Sequence, residues 1–344
     1  MVLSRDRTAD VVRGIAVFTM ICANLAPKVL VEPHPFFLRL YGSFAAPLFI
    51  FISGMIAVRS AASRRYGLRH LLLRGFLLIL TGALIDFFVF RIVPFMTIDV
   101  LYLIGVALPL AALFARCPAP LRWGLLVLVF LLGPLLQNRF GYADYPLEFV
   151  LGDPMDLSKA TFLRIFRNWM WEGWFPLFPW LGFSLAGAHF AKTRLEEGDR
   201  ASERRPLALG LFFWILGVAL WRSYPGKLLI RDGYSELFYP PGPGYLLTAL
   251  GVIFLLFHYA PLVEEKKVFR PFELLGRSSL LFYILHLILI QYAVRPFFAG
   301  QDLFSFLLIY SSLTLLLILI AFAVDRLKAR FQSPPFLLHF LWGG

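Results

Sequence analysis

Long apolar runs, separated by short polar or basic segments, dominate the pattern along the chain. An α-helix crosses the hydrocarbon core of a bilayer in about 20 residues, and most of the runs have about this length. The pattern therefore predicts an all-α integral membrane protein, a bundle of about ten transmembrane helices. The spans are expected at about 10–31, 39–58, 70–90, 96–115, 121–137, 173–191, 206–222, 244–260, 278–298 and 303–324.

The composition agrees with a hydrocarbon environment rather than with a soluble core. Of the 344 residues, 59% are hydrophobic and 16% are charged, whereas soluble domains are about 45–50% apolar and about 25% charged. In a soluble protein, the net charge of +12 would suggest a nucleic acid partner. Here the basic residues lie in short loops between apolar runs, so we expect the lipid bilayer as a partner and no nucleic acid.

The distribution of Lys and Arg predicts the orientation of the bundle. If the N-terminus lies in the cytoplasm, roughly two thirds of the 33 Lys and Arg fall on the cytoplasmic side. This bias favours N-in/C-in topology, with both termini in the cytoplasm, and hence an even number of spans. The first run leads directly into further spans, so we interpret it as a retained helix rather than a cleaved signal peptide. The compact loops favour a bacterial inner membrane.

The whole chain, 1–344, is interpreted as a single membrane domain with a large external loop at about 138–172. A second external segment, 223–243, is rich in Gly, Pro and Tyr. Tryptophan at a membrane interface normally forms an aromatic belt, and its ring is also a surface on which sugars stack. Both interpretations apply to a tryptophan cluster at the end of the large loop. The cluster comprises Trp169, Trp171, Glu172 and Trp174.

Polar side chains inside predicted spans are costly in lipid and are therefore candidates for function. Arg13 begins the first span, and Asn24 lies about 16 Å deeper at about 1.5 Å per residue. By the same measure, His286 lies about 13 Å beyond Arg277. Each has a plain alternative, namely a snorkelling anchor for Arg13, a helix–helix hydrogen bond for Asn24 and packing for His286. His34, in an external hairpin, is either a solvated loop residue or a functional group.

A basic cluster follows the second predicted span and contains Arg59, Arg64 and Arg65. Such a cluster either sets the topology and contacts anionic lipid, or binds an anionic cofactor such as a nucleotide diphosphate. The two cysteines are not expected to pair, and no two histidines lie at metal-ligand spacing. We therefore expect no metal site.

Five segments carry a further signal because they occur in a fixed order. They are Arg7-Thr-Ala-Asp10-Val-Val-Arg13-Gly14, Ser43-Phe-Ala-Ala-Pro47 continuing to Ser53-Gly54, Asp99-Val-Leu-Tyr-Leu-Ile-Gly105, Phe175-Pro-Leu-Phe-Pro179-Trp180-Leu-Gly182, and Gly276-Arg277-Ser-Ser-Leu continuing to Tyr283-Ile-Leu-His286. Together they resemble the heparan-α-glucosaminide N-acetyltransferase-like family, which belongs to a broader group of transmembrane acyltransferases. The resemblance spans most of the chain.

The resemblance implies a membrane acyltransferase that uses cytoplasmic acetyl-coenzyme A, or another short acyl-coenzyme A. It implies transfer to an acceptor, usually a sugar or glycoconjugate, on the other side of the membrane. On this basis Arg13, Arg277 and the basic cluster would hold the nucleotide end of the donor, and the tryptophan cluster would contact the acceptor. His34 corresponds to the family's catalytic histidine, as a general base or an acyl carrier. Asn24 and His286 complete the expected catalytic set near mid-membrane.

The chain departs from the family pattern around His34. The family has an Asp just before the second helix, where this chain has Ser43, so the group that orients His34 is open. A small-molecule or lipid transporter and a non-catalytic membrane scaffold remain alternatives to an enzyme. The acceptor, the acyl length, O- versus N-acylation and the presence of a homodimer also stay open.

Overall fold

The all-α prediction can be compared with a computed structural model, which describes residues 5–62, 67–143, 148–152, 161–197, 205–331 and 335–343. Within these ranges the backbone is helical or irregular, with isolated β-bridges and no strand. The all-α prediction is therefore confirmed. Arg64, Arg65 and parts of the expected external loop lie outside the described residues.

The helices are numbered in chain order. They are α1 (Arg7–Val29), α2 (Phe36–Gly42), α3 (Ala45–Ala62), α4 (Leu68–Ile85), α5 (Val100–Phe114), α6 (Ala119–Phe140), α7 (Phe162–Arg167), α8 (Leu177–Glu197), α9 (Arg205–Ser223), α10 (Pro243–Val263), α11 (Arg270–Arg277), α12 (Ser279–Leu289), α13 (Arg295–Phe298), α14 (Leu303–Lys328) and α15 (Phe336–Leu341). Short π-helical segments follow α4, α7 and α12, at Asp86–Phe90, Asn168–Glu172 and Ile290–Val294. Such segments are rare and occur frequently at functional sites.

Eight helical segments in the described part of the chain are long and apolar enough to cross a membrane. The other two predicted spans are also helices. One is α5, with only 15 residues, and the other is α8, with 21 residues and a charged last turn. An integral membrane protein is supported, whereas the count of about ten spans and the orientation stay predictions. The eight segments are Arg7–Val29, Phe36–Ala62, Leu68–Phe90, Ala119–Phe140, Arg205–Ser223, Pro243–Val263, Ser279–Phe298 and Leu303–Lys328.

Large apolar side chains on several long helices stay exposed. Phe76 of α4, Val127 of α6, Ile215 of α9 and Leu319 of α14 are each more than half exposed. A soluble protein rarely displays such continuous apolar faces, because they are costly in water. In hydrocarbon they carry no such cost, so these faces are suited to contact with lipid.

The helices group into two compact units. The central unit contains Phe49–Lys227 and Pro240–Gly251. The terminal unit contains Arg5–Leu48, Leu228–Tyr239 and Val252–Gly344.

In the terminal unit, α1 packs against α2, α11, α12 and α14. The α1–α11 contact is so close that a Cβ atom on Gly14 would overlap the carbonyl oxygen of Phe272. In the same way, a Cβ atom on Gly276 would overlap the carbonyl oxygen of Asp10. Both glycines belong to the motifs noted in the sequence, so a packing requirement accounts for them.

Glycines also allow two helices of the central unit to pack closely. Where α3 meets α8, a Cβ atom on Gly54 would overlap the carbonyl oxygen of Ser184. One turn away, a Cβ atom on Gly187 would overlap the carbonyl oxygen of Phe51. Small residues let helix backbones approach closely, which is a main source of helix association in lipid.

Candidate active site

His34 lies in the linker between α1 and α2 and is buried, with 7% of its surface exposed. It is therefore not a solvated loop residue. Its Nδ1 atom lies 2.7 Å from Oγ of Ser235, and its Nε2 atom lies 3.4 Å from the carbonyl oxygen of Leu30. Burial lowers the pKa of His34 below its ordinary value. The ring is therefore neutral at physiological pH and can accept a proton.

The partner of His34 comes from the 228–239 segment, which is part of the second external segment expected from the sequence. Two contacts fix this segment against α2. Arg39 donates from Nε to the carbonyl oxygen of Ser235 at 2.5 Å, and Ser43 accepts at Oγ from the N–H of Leu237 at 2.7 Å. Ser43 therefore anchors the segment that carries Ser235.

Two polar atoms near this contact are buried without a hydrogen-bond partner among the described residues. One is Oε2 of Glu236, and the other is Nη2 of Arg39. Burial raises the pKa of Glu236 to about 7, although the charge of Arg39 acts in the opposite direction. Buried polar groups without partners are rare in proteins and call for an explanation, for which a ligand is one candidate.

A basic cleft of about 310 Å³ lies at the N-terminal end of α1 in the terminal unit. Arg13, close by on α1, donates to the carbonyl oxygen of Gly276 at 3.1 Å. The structure therefore brings Arg13 and Arg277, both predicted from the sequence, to the same end of the unit. The cleft is lined by Arg7, Arg270, Glu273, Leu274 and Arg277.

In the described part of the chain, ion pairs around the cleft join five arginines to three carboxylates, so basic side chains outnumber acidic ones there. Asp10 pairs with Arg5 and Arg13, Glu273 pairs with Arg7 and Arg277, and Asp325 pairs with Arg270 and Arg277. In addition, Nε of Arg277 is buried without a hydrogen-bond partner among the described residues. The cleft therefore has spare positive charge and a spare donor for an anionic ligand.

Asn24 and His286 lie within the helices of the terminal unit. Asn24 is half-buried and donates from Nδ2 to the carbonyl oxygen of Met20 at 3.0 Å. His286 is fully buried, and its Nδ1 lies 2.9 Å from the carbonyl oxygen of Phe282. A carbonyl oxygen can only accept, so Nδ1 carries the proton and Nε2 is an acceptor. No described residue donates to that Nε2, so this nitrogen is available to accept a hydrogen bond from a ligand.

The tryptophan cluster lies in the central unit, partly on the π-helical segment Asn168–Glu172. All three indole N–H groups already have protein acceptors: Phe95 O for Trp169, Gly141 O for Trp171 and Glu148 Oε1 for Trp174. Trp171 and Glu172 are buried, and Glu172 forms an ion pair with Arg167. Trp169 and Trp174 remain partly exposed, so they are the members of the cluster that a ligand can contact.

Arg59 lies near the end of α3 in the central unit. Arg64 and Arg65, the other two members of the basic cluster, lie outside the described residues. The role of this cluster therefore stays a prediction.

A family model described as "Heparan-alpha-glucosaminide N-acetyltransferase, catalytic" matches residues 5–219, well over half of the chain. The chain belongs to this family. Among curated proteins, no sequence matches the chain. The family resemblance inferred from the five motifs is thus confirmed, and an acetyltransferase-type catalytic domain lies in a membrane-embedded helix bundle.

The matched region of this acetyltransferase-family chain contains Arg13, Asn24, His34 and the tryptophan cluster. It ends before Ser235, Glu236, Arg277 and His286. Sequence reasoning missed Ser235 and Glu236, since the contact joins residues 201 positions apart. The only signal was the Gly-, Pro- and Tyr-rich composition of the segment that carries them.

Proposed function

We propose that the protein transfers an acetyl, or other short acyl, group from acyl-coenzyme A on the cytoplasmic side to a sugar or glycoconjugate on the other side. One observation carries the proposal. The helix α1 has the basic cleft at its N-terminal end and His34 five residues beyond its C-terminal end. Its 23 residues span about 34 Å, which is enough to cross a hydrocarbon core of about 30 Å. This arrangement supports a donor site and a base on opposite sides of the membrane.

The basic cleft fits the nucleotide end of the donor. Coenzyme A carries several phosphate charges, and guanidinium groups bind phosphates through paired N–H donors. Arg7, Arg270 and Arg277 line the cleft, with Arg13 close by, and the shared carboxylates leave net positive charge among them. The thioester of the donor supplies the activated acyl group. The cleft volume is near the lower limit for a ligand pocket, in keeping with a site that holds one end of a long molecule.

His34 supports the chemistry at the other end of α1. A neutral, buried imidazole can remove the proton from an attacking hydroxyl or amine. Asn24 and His286 are proposed to contact the pantetheine arm or the thioester, because each is a polar side chain on a long apolar helix of the terminal unit. The partly exposed rings of Trp169 and Trp174 are proposed to stack on the sugar.

Binding of acetyl-coenzyme A to the purified protein in nanodiscs, measured by calorimetry, tests the donor site. Arg277→Ala and Arg7→Ala remove cleft-lining guanidinium groups. A charge-assisted hydrogen bond contributes about 1.5–3 kcal/mol, so each variant is expected to weaken binding about 10- to 100-fold. Arg295→Ala is the matched control, because this exposed arginine donates to Gln291 of its own helical segment and does not line the cleft.

Transfer of radiolabelled acetyl from acetyl-coenzyme A to glucosamine tests the reaction itself. Wild-type protein is expected to label the acceptor, and His34→Gln is expected to reduce the rate by at least 100-fold. Folded wild-type protein that neither binds the donor nor transfers acetyl would contradict the proposal. A solute flux assay in liposomes would then test the transporter alternative.

A further inference from the structure

The hydrogen bonds of His34 determine which ring nitrogen is the base. Leu30 offers a carbonyl oxygen, which only accepts, so the neutral ring carries its proton on Nε2. The other nitrogen, Nδ1, is then unprotonated and accepts from the hydroxyl of Ser235 at 2.7 Å. The basic nitrogen of His34 therefore points at a serine hydroxyl, which is how a base activates a nucleophile.

Ser235 is held rigidly in this contact. Its carbonyl oxygen accepts from Nε of Arg39, and the N–H of Leu237, two residues on, donates to Ser43. Ser235 itself is only 5% exposed, so the hydroxyl and the imidazole meet away from bulk water. A nucleophile that is fixed against its base and shielded from water is protected from wasteful hydrolysis of an acyl intermediate.

Arg39 supplies a second element of an acyl-transfer site. Its Nε contacts the backbone of Ser235, while its Nη2 is buried without a hydrogen-bond partner among the described residues. A charged donor with no ground-state partner is suited to stabilise an oxyanion, since the bond then forms only as negative charge develops. This accounts for a buried donor that the fold otherwise leaves unsatisfied.

We propose that Ser235 is the acyl-carrying nucleophile of the transferase, with His34 as its base. The proposal rests on the proposed function, because acyl-coenzyme A is the donor. It is a different role from general-base catalysis directly on the acceptor, which needs no intermediate on the protein.

The two half-reactions balance. In the first, the hydroxyl oxygen of Ser235 attacks the thioester carbonyl, and its proton passes to Nδ1 of His34. The carbon–sulfur bond breaks, an ester forms on Ser235, and Nδ1 returns the proton to the leaving thiolate. In the second, the acceptor hydroxyl or amine loses its proton to Nδ1 and attacks the ester carbonyl. The ester carbon–oxygen bond breaks, and the proton returns to the oxygen of Ser235.

The first test is isotope exchange between labelled coenzyme A and acetyl-coenzyme A without any acceptor. An intermediate on the protein permits this exchange, whereas direct transfer to an acceptor does not. Wild-type protein is expected to exchange label, and Ser235→Ala is expected to lower the exchange rate by at least 100-fold. Ser223→Ala is the matched control, since this exposed serine bonds to Ala219 of its own helix.

The second test locates the acyl group by acid quench, proteolysis and mass spectrometry after incubation with acetyl-coenzyme A. The acetyl mass is expected on the peptide that contains Ser235 and absent in His34→Gln. Ser235→Cys guards against misfolding of the alanine variant, because a thiol can take the acyl group. The thioester so formed is expected to be cleaved by neutral hydroxylamine.

Four outcomes would overturn the proposal while leaving the transferase intact. They are transfer by wild-type protein without acceptor-free exchange, label on His34 instead of Ser235, a folded Ser235→Ala variant with more than a tenth of wild-type transfer, or a folded Ser235→Cys variant without label. Loss of transfer in Ser235→Ala without any acyl-protein in wild type would make Ser235 a positioning residue for His34, and would also overturn it. Failure of wild-type protein to bind acetyl-coenzyme A would instead overturn the proposed function.

Discussion

The buried carboxyl group of Glu236 is expected to lower the stability of the protein as the pH rises. Its side chain is 6% exposed, one carboxylate oxygen has no hydrogen-bond partner among the described residues, and burial raises its pKa from 4.5 to about 7. Below a pH of about 4.5, the carboxyl is neutral in both the folded and the unfolded chain. Between about 4.5 and 7 the unfolded chain loses this proton while the folded protein keeps it.

The folded state binds more protons in this window, so the free energy of unfolding falls as the pH rises. The difference of about 2.5 pH units, at about 1.36 kcal/mol each, corresponds to about 3 kcal/mol. This loss is complete once the pH exceeds about 7. His34 acts in the opposite direction, because burial lowers its pKa and the unfolded histidine binds more protons below about pH 6.5. The pH dependence of the free energy of unfolding of wild type therefore contains contributions from both Glu236 and His34.

Glu236→Gln isolates the carboxyl, because His34 is present in both proteins and cancels in the difference. Between about pH 4.5 and pH 8, we expect the free energy of unfolding of the glutamine variant to rise by about 3 kcal/mol relative to that of wild type. The measurement is denaturant unfolding in detergent micelles. Glu265→Gln is the matched control, since it makes the same substitution at an exposed position. A flat difference for Glu236→Gln, or one that rises as the pH falls, would refute the reasoning.

Three further predictions concern packing, anchoring and an unsatisfied histidine. Gly14→Ala places a Cβ atom onto the carbonyl oxygen of Phe272 and is expected to lower the melting temperature sharply; an unchanged melting temperature would contradict the α1–α11 packing. Ser43→Ala leaves the buried N–H of Leu237 without its acceptor and is expected to cost about 1–3 kcal/mol in denaturant unfolding, with restoration by Ser43→Thr. His286→Leu removes a buried acceptor without a partner, so we expect equal or higher thermal stability together with loss of acetyl transfer; a large loss of stability would instead assign His286 to packing.

The helices and their order could be predicted from the sequence because hydrocarbon imposes long apolar runs. The same patterns located α5 and α8, although one is short and the other ends in charged residues. The motif glycines Gly14 and Gly276 could be seen in the sequence. Only the structure shows that each lies against the backbone of the other's helix, Gly14 against α11 and Gly276 against α1. The hydropathy of a helix indicates whether it lies in lipid or in water, but it does not indicate which helix packs beside it.

Some residues of the candidate site could be predicted from the sequence, and others could not. His34, Arg13 and Arg277 were found because they stand out as polar residues in or beside apolar spans. Ser235 and Glu236 lie in a polar external segment, where serine and glutamate are ordinary residues. Only the burial of that segment makes them unusual, and burial there depends on the distant contacts to Arg39 and Ser43.

The hydrogen bonds of Ser43 give a physical reason for a serine here, where the family resemblance implies an aspartate. Its fully buried hydroxyl donates to the carbonyl oxygen of Arg39 at 2.6 Å and accepts from Leu237, and a carboxylate could make only the second of these bonds. An aspartate there would also add charge close to Glu236, whose carboxylate lies 3.5 Å from the Cβ position of the neighbouring Gly42. Two buried carboxylates in one site disfavour each other's ionisation. The carbonyl oxygen of Leu30 already orients the ring of His34, so this site does not need an aspartate at position 43 to hold the imidazole.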